Sequence, residues 1–262
     1  MKNYSFKIFI FTFIFGSIFL LFSCFEDNNV DQIIFVPGYG SKKSLWEDNG
    51  FMKSLKEKDD SLNYAGNFNI LNQNNLRILN DKRNYFCVSF LDSTNSIDKL
   101  SIELEEMINF VLDKTNSDKV ILVAYSMGGI VARKYLTSNL ENHNVRSLIT
   151  ICSPHKGSYL SNILYVPGLI LGKYKDKIFG TLANIFNFPF DGIAIQELFV
   201  EQSGTYLHKL NRKEHPMLET MVNFLDAIPE IPDEEITFLR KIIYKGDLVV
   251  EVSGYKRCKI FK

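Results

Sequence analysis

The sequence predicts an α/β fold built on a largely parallel sheet. Two features carry that expectation: short apolar runs closed by turn residues, and amphipathic stretches of helical period set between them. Length sets a bound: 262 residues suffice for one substantial domain with a well-buried core.

The first run, QIIFVPG at 32–38, is apolar from Ile33 to Val36 and ends on a Pro-Gly turn, as a buried strand does. NYFCVSF at 84–90 reads as a second strand. Next, SIDKLSIELEEMINFVLDKTN (96–116) sets Ile97, Leu100, Leu104, Met107, Ile108, Val111 and Leu112 on one helical face, with acidic residues opposite. DKVILVAYS (118–126) is a third strand, MGGIVARKYLTSNL (127–140) a second helix and VRSLITICS (145–153) a fourth strand. ITFLRKIIYKGD (236–247) contains a fifth. The intervening residues, about 155–233, are too many for a simple crossover and predict a helical cap insertion over the sheet edge. Its apolar stretches either pack on one another or form a lid over a greasy site.

Residues 1–23 read as a lipoprotein signal peptide. Lys2 and Lys7 precede the apolar run 8–22, the layout of a secretory signal. A transmembrane anchor is the competing reading, the run lying near the lower length limit for a span. LFSC at 21–24 resembles the bacterial lipobox, which implies an acylated Cys24 as the mature N-terminus. Residues 24–32 are then a polar tether reaching no more than about 30 Å. The domain at 33–262 is expected to work close to a membrane of the cell envelope, outside the cytoplasm.

Lys+Arg and Asp+Glu balance at 30 each, which gives no support for nucleic-acid binding. Beyond Cys24, the cysteines are Cys87, Cys152 and Cys258, with no metal-ligand spacing. Cys87 and Cys152 lie in apolar runs and read as small core residues.

VAYSMGG carries the chemistry. Ser126 directly follows the third strand and directly precedes a helix, so its hydroxyl is expected above the sheet. The sharp turn crowds its neighbours, and small residues, Ala124 and Gly128, stand two positions either side. The helix N-terminus adds oriented amides that favour developing negative charge. An ordinary helix-capping serine is the competing reading.

On these residues the chain resembles the α/β-hydrolase superfamily, in particular lipase- and esterase-like members with an S-M-G-G elbow. The resemblance runs discontinuously from about Ile33 to Val250. It implies an oxyanion hole formed by the N–H of Tyr39, in FVPGYG, and the N–H of Met127. TICSPHKGS resembles the family's T-P-H-x-G-S segment, in which His155 is a hydrogen-bonded turn residue near the site mouth. QELFVEQSGTYLHKLN resembles a cap segment. GDLVVEVS resembles the segment that makes Asp247 the triad acid. No metal and no organic cofactor are implied.

The fold requires the order Ser, Asp, His, yet His143, His155, His208 and His215 all precede Asp247. The expectation is therefore a shortened copy whose last strand and histidine loop are absent. Two readings result. One is a membrane-anchored serine hydrolase of acyl esters, lipidic by virtue of the apolar insertion and the anchor. The other is a catalytically impaired, hydrolase-like lipoprotein that binds, or a decaying gene product.

Overall fold

A computed structural model describes residues 30–41, 45–48, 52, 55, 59–158, 161–162 and 192–224. Among them six strands form one all-parallel sheet in the order β2-β3-β1-β4-β5-β6. The strands are β1 (Gln32–Val36), β2 (Leu62–Phe68), β3 (Arg83–Val88), β4 (Val120–Tyr125), β5 (Val145–Ile151) and β6 (Thr220–Phe224). The helices are α1 (Leu45–Asp48), α2 (Ile97–Thr115), α3 (Met127–Ser138), α4 (Ile193–Glu197) and α5 (Tyr206–Asn211).

Strand alternation divides the core. Ile34, Val36, Leu122, Ala124 and Leu148 meet α2 and α3 on one face. Phe35, Tyr85, Cys87 and Val123 meet Trp46 of α1 on the other. Both faces are covered, which is why the central strands read as unbroken apolar runs. On α2 the buried face is Ile97, Leu100, Leu104, Met107, Ile108 and Val111. Each such side chain stabilises the packed helix by about 1.5–3 kcal/mol as an upper estimate. Ser96 caps its start by accepting from the Lys99 N–H, and Asn116 ends it in the left-handed region at φ 51°. From α4, Glu197 accepts the Ile97 N–H at 2.6 Å, which ties the two helices together.

Two strands depart from the sequence reading. β2 was not expected, because Asn63, Gly66 and Asn67 break its apolar pattern. It holds through its ladder to β3 and through Asn63 Nδ2, which donates to Asn84 Oδ1 at 2.7 Å. β6 lies inside the stretch read as a helical insertion, so residues 155–233 do not form a purely helical cap. Their described part holds α4 and α5, and also a strand that extends the sheet beside β5. Asn223, buried in β6, accepts a hydrogen bond from Thr150 and hides the strand from an apolar-run search. The strand expected within 236–247, and with it any last strand, falls outside the described residues.

Candidate active site

β4 delivers the chain to Ser126 at the carboxyl edge of the sheet, and α3 starts at the next residue. Ser126 has φ 51° and ψ −126°, a conformation that costs a residue with a Cβ about 1–3 kcal/mol. Its N–H donates to Ile151 O at 2.8 Å, and its carbonyl accepts the Gly129 N–H at 3.1 Å. Its side chain makes no capping hydrogen bond, so it is not an ordinary helix cap. The next crossing has the same character: Cys152, just after β5, also stands at φ 51°.

Three glycines let the surrounding loops close on this turn. A Cβ on Gly38 would stand 2.9 Å from Ser126 Cβ. One on Gly128 would stand 2.4 Å from Pro37 O, and one on Gly129 2.2 Å from Ser153 Oγ. The Pro37–Gly38–Tyr39 loop therefore packs directly on the Ser126 turn and the first turn of α3. Tyr39 and Met127 are both buried beside it. The Tyr39 hydroxyl accepts the Gly192 N–H at 3.0 Å, and the Ala194 N–H donates to Thr94 O at 3.2 Å. These bonds bring the start of α4 onto the same edge of the sheet.

Of the residues singled out from sequence, Ser126, Tyr39 and Met127 thus meet in one place. Asp247 and Cys24 fall outside the described residues. Each histidine has a polar partner of its own. His143 Nδ1 accepts the Val145 N–H, and His208 Nδ1 lies 3.9 Å from Glu201. His155 bridges Arg133 and Thr150, at 3.1 Å to each. His215 Nε2 faces the Arg133 guanidinium at 2.9 Å.

Arg133 is the residue that sequence reading passed over. It sits on α3 seven positions after Ser126, 6% exposed among apolar neighbours, and its guanidinium donates to Asn211 Oδ1 at 2.8 Å as well. A charged residue in the middle of a buried helical face was the available signal. With Arg133 donating, His155 Nδ1 is an acceptor, so its Nε2 carries the proton and donates to Thr150 Oγ1. Thr150 in turn donates to Asn223 Oδ1 at 2.8 Å. The chain of bonds joins α3, β5, β6 and the end of α5.

Burial, reinforced by the Arg133 charge, holds both rings neutral. His155 is pushed well below the ordinary histidine value, and His215 falls from 6.5 to about 4. A depressed folded-state pKa means that the unfolded chain takes up protons first as pH falls. Stability is therefore expected to be full above pH 6.5 and to drop as pH passes from there to about 4. Thermal midpoints measured across that window should fall less steeply in His215→Gln, which can still accept from Arg133. Equal slopes in the two chains would remove His215 from the acid response.

Cys87 and Cys152 are buried, and burial pushes the Cys87 thiol up to about 12, far from reactivity. Among the described residues no group of three or more His, Cys, Asp or Glu side chains could hold a metal ion. No described helix is long and apolar enough to cross a membrane.

Residues 33–246 match the family described as alpha/beta hydrolase fold. The chain belongs to that family. The lipase BlEst2 of Bacillus licheniformis, in its mature form, resembles this α/β-hydrolase chain at 23% identity and a TM-score of 0.48, covering 72% of this chain and 62% of that one. Phospholipase PlaB of Legionella pneumophila does so at 16% and 0.47, covering 70% and 35%. The lin2722 product of Listeria innocua does so at 16% and 0.48, covering 84% and 97%. The α/β-hydrolase chain thus spans less than two thirds of the first two proteins. No curated protein sequence matches it.

Proposed function

We propose that this chain is a membrane-anchored serine hydrolase of the lipase and esterase type, cleaving acyl esters of lipids. The observation that carries the reading is Ser126, held at a strained turn between β4 and α3 with Gly38 packed against it. Strain of this kind persists where surrounding structure over-determines it, and functional sites are where it gathers. In this reading Ser126 Oγ attacks the ester carbonyl carbon, and the N–H groups of Tyr39 and Met127 hold the oxyanion. The C–O bond of the tetrahedral intermediate then breaks and the alcohol leaves with the proton that Ser126 gave up; water adds to the acyl-enzyme, releasing the carboxylic acid and returning a proton to Ser126 Oγ. Asp247 is the proposed acid of the triad. The test is hydrolysis of p-nitrophenyl esters of increasing acyl length by the purified chain. Turnover on the order of 1 s⁻¹ or more supports the reading. Faster cleavage of the longer chains would point to a lipidic substrate.

A second reading rests on the histidines among the described residues, each of which has a polar partner in Arg133, Thr150, Glu201 or Val145. A serine without a base keeps only the residual rate that an oxyanion hole provides. Turnover far below the ordinary enzymatic range would favour this impaired, binding role. Anchoring is supported by the apolar run at 8–22 and by Cys24. Fatty-acid labelling in a bacterial host should mark the wild-type chain and not Cys24→Ala. Equal labelling of both would remove the anchor.

A further inference from the structure

We infer that the chain carries a second binding site, remote from Ser126, for a small amphiphilic monocarboxylate. A cavity of about 770 Å³ lies at β2 and β3, on the sheet face opposite α2 and α3. That volume is within the range of small-molecule pockets. Tyr85 of β3 is level with Ile33, and Ile33 with Ile121, five residues before Ser126 and two strands from β3. Strand geometry puts the two places on the order of 20 Å apart.

The floor suits an apolar or aromatic body. Tyr64 and Tyr85 stack there with ring centroids 5.3 Å apart and planes at 24°. Tyr64 spends its hydroxyl on Glu47. The Tyr85 side chain is buried at the cavity wall, and among the described residues its hydroxyl has no hydrogen-bond partner. Such a group is costly unless a bound molecule completes it.

The wall suits one negative charge. Arg77 is brought to this edge by its own backbone: its N–H donates to Ala65 O at 2.8 Å, and its carbonyl accepts from Asn63 Nδ2 at 2.6 Å. Among the described residues no carboxylate pairs with its guanidinium. Lys82 is fixed on the cavity by donating from Nζ to Asp60 O at 3.0 Å. Against these two cations the lining sets the single carboxylate of Asp60. A net charge of one matches a carboxylate better than a phosphate dianion, and Arg77 offers the planar fork that a carboxylate accepts.

The probe is 3-phenylpropionate, titrated calorimetrically into the full chain. Saturable binding is expected, weakened about tenfold or more by Arg77→Gln and by Lys82→Gln, as for hydrogen bonds to charged groups. Neutral 3-phenylpropanamide should bind about tenfold more weakly than the acid. Tyr85→Phe supplies a readout that a purely structural tyrosine would not give. Without ligand its thermal midpoint should equal or exceed wild type, because an orphaned hydroxyl is gone, while its affinity for the probe falls. The site is overturned if wild type does not bind, if Arg77→Gln and Lys82→Gln bind unchanged, or if inorganic phosphate competes as well as the carboxylate. The outcome does not depend on whether Ser126 cleaves esters.

Discussion

Ser126→Ala is expected to reduce ester cleavage to the residual rate that an oxyanion hole provides, a loss of about a thousandfold or more for an active chain, with the fold intact. The substitution removes one half-buried oxygen that caps nothing. Alanine inherits the same φ of 51°, so backbone strain is unchanged and stability should stay within about 0.5 kcal/mol. Ser126→Gly separates the two roles further. Glycine adopts positive φ without a Cβ clash, and this variant should gain about 1 kcal/mol while being equally inactive. Paired melting curves and ester assays on the three chains check both statements. Residual turnover in Ser126→Ala equal to wild type would move the nucleophile elsewhere.

Arg133→Met should be the most damaging single change to stability. It removes the donor shared by His155, His215 and Asn211 and leaves three acceptors facing an apolar side chain. Leaving a buried acceptor unsatisfied costs about 1–3 kcal/mol, and three of them in a chain of this size should lower the thermal midpoint by about 10 °C. Arg133→Lys should recover part of the loss only, since one ammonium cannot serve three separated acceptors. Lys99→Ala, on the exposed face of α2, is the control and should stay within about 0.5 kcal/mol. A midpoint in Arg133→Met within 2 °C of wild type would show that the cluster carries little.

What the sequence made legible was whatever apolar spacing encodes. The α2 face was readable because its buried side is a stripe of Ile, Leu, Met and Val. The Ser126 turn was readable because a run of five apolar residues stops one residue before it at Tyr125 and a helix begins at once after it. β2 and β6 were not readable, since each is an end strand of the described sheet carrying asparagines whose partners lie far along the chain. Asn223 looks like a turn residue until Thr150, 73 positions earlier, is placed against it. The Arg133 cluster was hidden for the same reason: its members come from α3, the turn after β5, α5 and the approach to β6. Local pattern cannot report a polar core whose partners are distant in sequence.

The strand order also sets a timetable. β1 lies between β3 and β4, and neither neighbour follows it directly in the chain. A ribosome elongating at about 5–20 residues per second must add about 85 more residues before β4 exists, a delay on the order of 4–17 s. Through that interval one of the most apolar segments of the domain is synthesised but cannot complete its ladder. Parallel pairings of such long loop closure are slow to form and open to wrong partners. The nascent chain is accordingly expected to depend on a holding chaperone, or on delayed folding, until the turn at Ser126 has been made.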